Sequence, residues 1–182
     1  MDLEKNLKEA KEIFDQISLK REKIYEICRL ILNALKNGNK ILICGNGGSA
    51  SQSQHFAAEI VGRYQRERKG FCAISLASDI SVISSVSNDY SYEVVFARQV
   101  EAIGRKGDVL IGLSTSGNSK NVINAFKIAK TYGIKTIGIL GRKGKIAKLS
   151  DTFIDFEAPT PRVQEAHLFV IHTICEFLEE NI

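Results

Sequence analysis

Two short loops rich in glycine and serine, each following a run apolar enough to be a buried strand, constrain this chain more than any other feature. The first is Gly45-Asn46-Gly47-Gly48-Ser49, after Lys40-Ile41-Leu42-Ile43-Cys44. The second is Ser114-Thr115-Ser116-Gly117-Asn118-Ser119, after Asp108-Val109-Leu110-Ile111-Gly112-Leu113. Glycine lets the backbone approach a ligand closely, and the hydroxyls offer hydrogen bonds. A helix beginning just past each loop aims free N–H groups and its positive dipole end at an anion. Two such cradles imply a small phosphorylated ligand, a sugar phosphate for example, held between strand ends. The second loop is the more specific, with four hydroxyl residues in six positions.

The rest of the chain alternates strand and helix in the same manner. The pattern predicts strand 40–44, a helix of about 49–63, strand 71–76, and helices near 80–86 and 92–103. It continues with strand 108–113, helix 118–132, strand 135–140 and a short strand near 152–156. A turn bracketed by Pro159 and Pro161 then precedes a last helix, about 163–179. Runs such as Val109-Leu110-Ile111 are apolar without alternation, as strands covered on both faces require. The expected fold class is α/β, a three-layer sandwich with a parallel sheet flanked by helices, binding its ligand beyond the carboxyl ends of the strands.

Ahead of this unit, Leu3, Leu7, Ile13, Ile17, Ile24, Ile27, Ile31 and Leu35 recur at helical spacing across residues 2–36. The stretch is long enough to be two helices with a break near Ser18. We divide the chain into a helical arm, residues 1–37, expected to pack on neighbouring subunits, and a domain spanning 38–182.

Composition narrows the setting. A chain of 182 residues suffices for one domain with a substantial core. The net charge of +4 suits a phosphorylated ligand without calling for nucleic acid. Within it the densest basic run, Arg63 to Lys69, reads as a solvated helix end. No apolar stretch is long enough to span a membrane, and no signal peptide opens the chain. The four cysteines form no Cys-x-x-Cys pair and have apolar neighbours, so buried reduced thiols in a cytoplasmic protein are expected.

All three histidines lie in two segments. His55 sits on the helix opened by the first loop, and Glu59 follows it at i+4, on the same face. On the last helix Gln164 and His172 lie about 80° apart around the axis, so both can look into one cleft. Glu165 is better aligned with His172, about 20° away, and spacing leaves open which of the two partners it. His167, about 140° from His172, belongs to structure or to an interface. A glutamate and a histidine beside phosphate cradles fit aldose–ketose isomerisation, in which a base removes a proton next to a carbonyl and an acid serves the oxygens. His55, Glu59, Gln164 and His172 together could hold a zinc-like ion.

From about residue 38 onward the chain resembles the sugar isomerase (SIS) family, on the strength of both loops and the strand–helix frame between them. More narrowly, Gly45–Ser49, Gln54-His55-Phe56-Ala57-Ala58-Glu59, Asn88-Asp89-Tyr90, Ser114–Ser119 and Thr160-Pro161-Arg162-Val163-Gln164-Glu165 through His172 resemble its phosphoheptose isomerases. That resemblance implies conversion of sedoheptulose 7-phosphate to D-glycero-D-manno-heptose 7-phosphate through an enediol(ate), toward heptose units of bacterial lipopolysaccharide or other glycans. It implies a homotetramer with active sites between subunits. It also implies Glu59 as base and His172 as acid, and a zinc ion on His55, Glu59, Gln164 and His172. Ser114, Thr115, Ser116 and Ser119 would bind the 7-phosphate. The Asn46-Gly47-Gly48-Ser49 loop, Asp89 and Gln164 would hold the rest of the substrate. Ala58 and Pro161 depart from acidic residues found at those places in some relatives.

Two other readings are weighed against this one. Tetrameric proteins of the same fold bind the bacterial replication initiator without catalysis, and the motifs fit that scaffold too. Dinucleotide binding is suggested by Gly45-Asn46-Gly47-Gly48-Ser49-Ala50. It needs an acid at the end of the next strand, however, and Asp79 comes too late.

Overall fold

The computed structural model of the chain describes residues 2–182. Five parallel strands, β1 (Ile41–Gly45), β2 (Ala73–Ser75), β3 (Val109–Ser114), β4 (Lys135–Leu140) and β5 (Thr152–Asp155), form one sheet in the order β2-β1-β3-β4-β5. Around it lie α1 (Leu3–Leu19), α2 (Arg21–Lys36), α3 (Gly48–Val61), α4 (Ile80–Asp89), α5 (Val95–Ile103), α6 (Lys120–Thr131), α7 (Gly144–Leu149) and α8 (Thr160–Asn181). From β1 the chain runs outward to β2, then returns to β3 on the other side of β1. The loops after β1 and β3 therefore open at a topological switch point, where sheets of this kind bind ligands.

The apolar strand runs follow from coverage on both faces. Along β1, Ile41 and Ile43 join one core while Leu42 and Cys44 join the other, because successive side chains point to opposite faces. The first core takes Ile13 and Ile17 of α1, Ile27 and Ile31 of α2, Phe56 and Ile60 of α3, and Val170 and Ile174 of α8. The second takes Phe96 of α5, Val122 and Phe126 of α6, and Ile146 of α7. Each fully buried phenylalanine, such as Phe56 or Phe126, contributes about 1.5–3 kcal/mol. At the amino ends of the strands, buried Asp108 accepts from Lys40 N (3.0 Å), Lys40 Nζ (2.6 Å) and Arg105 N (2.8 Å), which fixes β1 against β3.

The N-terminal helices break at Lys20, close to the expected Ser18. There Lys20 N–H returns to the Ile17 carbonyl and its amine reaches Asp155 of β5 at 3.3 Å. The inner faces of α1 and α2 belong to the first core, while Leu3, Leu7, Phe14 and Leu19 remain exposed.

Several expectations are corrected. The final helix begins at Thr160, with Pro161 in its first turn, where a missing N–H costs nothing. The short helix α7 was not foreseen. Helix α3 ends at Val61, and residues 62–72 are irregular, so the basic run is not a helix end. Cys28, Cys44 and Cys175 are buried as expected, but Cys72 is exposed.

Candidate active site

β3 delivers Ser114 to the start of the hydroxyl loop. Ser114 is buried, and its Oγ accepts Gly117 N–H (3.1 Å) and lies 3.1 Å from Ser119 Oγ, so it shapes the loop. Ser116 Oγ accepts Asn118 N–H (3.2 Å). Gly117 takes φ +67°, and a Cβ there would meet the Arg142 carbonyl. The segment after β4 braces the loop from outside: Gly141 N donates to Ser114 O, Ile146 N to Gly117 O and Lys145 N to Asn118 Oδ1, each at 3.0 Å. Thr115 and Ser116 face a cavity of about 470 Å³ that also meets Asn118, Arg142 and Thr160.

The loop after β1 is tied to this cradle. Asn46 Nδ2 donates to Asn121 Oδ1 (2.9 Å), Asn121 Nδ2 donates back (2.8 Å), and Tyr92 Oη also donates to Asn46 Oδ1 (2.8 Å). Gly47 adopts φ +55°, and Ser49 is buried where a Cβ on Gly45 would stand.

A second cluster lies where α3 packs on α8. His55 Nε2 and His172 Nε2 are 3.0 Å apart, and Glu59 Oε1 lies 3.6 Å from His55 Nδ1. The Tyr64 ring leans on His172, with centroids 5.6 Å apart. Two ring nitrogens at 3.0 Å share one proton, so one donates and the other accepts. The Glu59 carboxylate beside Nδ1 favours the proton there on His55. His55 Nε2 is then the acceptor and His172 Nε2–H the donor. Burial and the neighbouring His55 lower the His172 pKa, against an upward pull from Glu59, so His172 is neutral at pH 7. The Glu59 and His55 side chains are 20% and 40% exposed, so this face opens to a ligand.

Gln164 does not join this cluster within one chain. Its side-chain amide packs where Gly48 lacks a Cβ, and its backbone carbonyl accepts from Gln52 Nε2 (2.7 Å). Eight residues of unbroken helix put about 12 Å of rise between Gln164 and His172, so the angular argument that set both in one cleft fails along the axis. Glu165 is also no partner of His172, since it pairs with Arg162 at 2.6 Å. His167 is fully buried, and exposed Asp89, at the end of α4, bonds with Asn88 (3.0 Å). Among the described residues, no group of three His, Cys, Asp or Glu side chains stands ready to hold a metal.

Comparison with known proteins gives this geometry a context. Residues 6–141 match the family model described as SIS domain. A phosphoheptose isomerase of Helicobacter pylori is 53% identical over 163 residues, covering 88% of this chain and 85% of that protein. One from a Nitratiruptor species is 47% identical, covering 98% and 97%. The solved structure of the phosphoheptose isomerase from Neisseria gonorrhoeae superposes with a TM-score of 0.92 at 38% identity, covering 98% of this chain and 97% of that one.

The chain belongs to the phosphoheptose isomerases of the SIS family.

Several residues of this SIS-family site escape sequence reasoning. Asn121 and Tyr92 are found only through their bonds to Asn46, because nothing in the pattern joins β1 to α6 or to the turn before α5. Arg142 arrives at the hydroxyl-lined cavity from the loop after β4, and only the Gly141-Arg142-Lys143-Gly144 run at that strand end points to it. Tyr64 lies in the irregular segment after α3, where periodicity carries no signal.

Proposed function

We propose that the protein interconverts sedoheptulose 7-phosphate and D-glycero-D-manno-heptose 7-phosphate, with Glu59 and His172 as the proton-transfer groups. The observation that carries this reading is one fold holding both a serine-lined cradle and the Glu59–His55–His172 cluster. It favours the isomerase over a scaffold for the replication initiator, which needs neither group. Thr115, Ser116 and Ser119 would bind the phosphate, with Ser114 shaping their loop. Asn46, Gly47, Gly48, Ser49, Asp89 and Gln164 would form the sugar subsite.

In the ketose-to-aldose direction Glu59 takes a proton from C1, and its bonding pair becomes the C1–C2 double bond. Charge then develops on O2, where His172 acts as the acid. His172 takes the proton from O1 as it gives one to O2, and Glu59 returns its proton to C2. Each positioned proton-transfer group typically supplies about 10²–10⁴ in rate.

The cradle and the cluster lie too far apart in one chain to share one substrate. Thr160, at the phosphate cavity, and His172 are twelve residues apart on one straight helix, about 18 Å of rise. A seven-carbon phosphate spans roughly 10 Å from phosphorus to C1. We therefore propose a homotetramer in which the cradle and Gln164 of one subunit face Glu59 and His172 of another, in the cytoplasm. Zinc is the proposed cofactor. Two imidazoles and a carboxylate, joined by an amide oxygen, are donor types that suit it. His55, Glu59 and His172 would hold it, with Gln164 from a second copy, and it would polarise the substrate oxygens.

The test is an NMR time course of sedoheptulose 7-phosphate with the purified protein, run with and without a chelator. Appearance of the aldose phosphate is the expected result, and its suppression by the chelator supports the metal. A flat trace from folded, zinc-supplemented protein would overturn the isomerase reading.

A further inference from the structure

The irregular segment that follows α3 carries a buried ion pair that neither the phosphate cradle nor the proton-transfer groups use. Glu179, near the end of α8, has a side chain only 3% exposed. Its carboxylate accepts three consecutive backbone N–H groups, from Tyr64 (2.7 Å), Gln65 (2.8 Å) and Arg66 (2.8 Å). Arg68, 11% exposed, lies with Nε 3.5 Å from Glu179 Oε1, an ion-pair distance. Its other nitrogens donate to the carbonyls of Glu59 (2.7 Å), Ile60 (2.9 Å), Gly62 (3.2 Å) and Lys69 (3.2 Å). Arg68 thus caps the C-terminus of α3, including the carbonyl of Glu59 itself, while Glu179 pins the strap that presents Tyr64 to His172.

We propose that Arg68 and Glu179 form a positioning pair for the isomerisation site, locking the Tyr64 strap onto His172 and the end of α3 that carries Glu59. Three features set this apart from ordinary surface pairing. Both side chains are largely shielded from water, where a charge without partners is costly. Every bond runs to backbone, so the pair dictates where the chain goes. The two elements it joins carry Glu59 and His172. Burial pulls the Glu179 carboxyl upward, yet the three amides and Arg68 outweigh it and hold the pKa below its usual value, so Glu179 is charged at neutral pH.

The chain's three histidines make the test direct, because selective 13C labelling of histidine gives one ring signal per residue. Tyr64 shifts the His172 signal by its ring current, and Tyr64→Ala identifies that shift. Glu179→Gln and Arg68→Lys are each expected to move the His172 signal toward its Tyr64→Ala position. Each is also expected to lower kcat by roughly 10- to 100-fold, with KM unchanged within about twofold. Arg66→Ala removes only an exposed side chain that lies 3.9 Å from Glu180, and should alter neither readout. A His172 signal that stays in place in both variants overturns the proposal. So does a kcat that falls only in proportion to the unfolded fraction, as a purely structural pair would give. The kinetic arm rests on the proposed isomerase activity, but the NMR arm needs no substrate, so failure of one is distinguishable from failure of the other.

Discussion

His167 and His172 share a helix and differ in everything that decides what a histidine does. His172 has a ring neighbour, a carboxylate close by and access to a ligand. His167 has neither a carboxylate partner nor access to a ligand. It is fully buried beside Phe156, and neither ring nitrogen makes a hydrogen bond, the nearby Leu140 carbonyl being taken by Phe156 N–H at 3.0 Å. Burial lowers its pKa to about 4, against a weaker upward pull from the Leu140 backbone. Unfolding restores an ordinary histidine, so between pH 6.5 and 4 the unfolded chain binds more protons, and stability falls as pH falls through that window. From pH 7 to 5 this group accounts for roughly 2 kcal/mol of that loss. His167→Leu removes the charge and both orphan nitrogens. Chemical denaturation should show a variant about as stable as the wild type at pH 7 and less sensitive to pH 5 by that amount. An unchanged acid slope would mean that His167 titrates normally in the folded protein.

At the scale of elements, the hydroxyl loop after β3 depends on a backbone that only glycine can supply. Gly117 combines φ +67° with a position where a Cβ would press on the Arg142 carbonyl. Gly117→Ala should therefore push apart the hydroxyl loop and the segment that braces it. The expected result is a KM for the phosphorylated substrate raised about tenfold or more, with a smaller change in kcat, because the cradle grips the phosphate equally in ground and transition states. A KM unchanged from wild type would show that the loop tolerates the strain. The alternation of strands and helices and both cradles were legible because they depend on local sequence: apolar runs, glycine placement and hydroxyl density. The break at Lys20 was legible to within two residues for the same reason. What was not legible depends on contacts between distant segments. The Arg68–Glu179 pair joins an irregular strap to the end of α8, and a basic run such as Arg63 to Lys69 reads as a solvated helix end. Gln164 and His172 stand about 12 Å apart along α8, a separation that the angle between them around the axis does not register.

For the whole molecule, the decisive geometry is the distance along α8 from its first turn to His172 at mid-helix. Near Thr160 the helix borders the cavity lined by Thr115 and Ser116, and near His172 it meets His55 and, through it, Glu59. Glu59 and His172 reach the same spot from one chain, and in the proposed tetramer the cradle of one copy meets the His172 of another over one substrate. Two mixing experiments separate these relations. Glu59→Gln and His172→Gln each should lower kcat by about 10²–10⁴ alone. Co-assembled in equal amounts they should recover nothing, because every subunit still carries one damaged member of the pair. Gly117→Ala mixed with His172→Gln should behave differently, since a site joining a sound cradle from one subunit to a sound His172 from another arises in about one quarter of random pairings. Recovery toward that fraction in the second mixture alone is the expected outcome, read as activity at substrate well below the Gly117→Ala KM, after co-refolding and isolation of mixed oligomers. Recovery in the first mixture would place Glu59 and His172 of one working site on different subunits. No recovery in the second would confine cradle and histidine to one chain, and would require α8 to bend between Thr160 and His172.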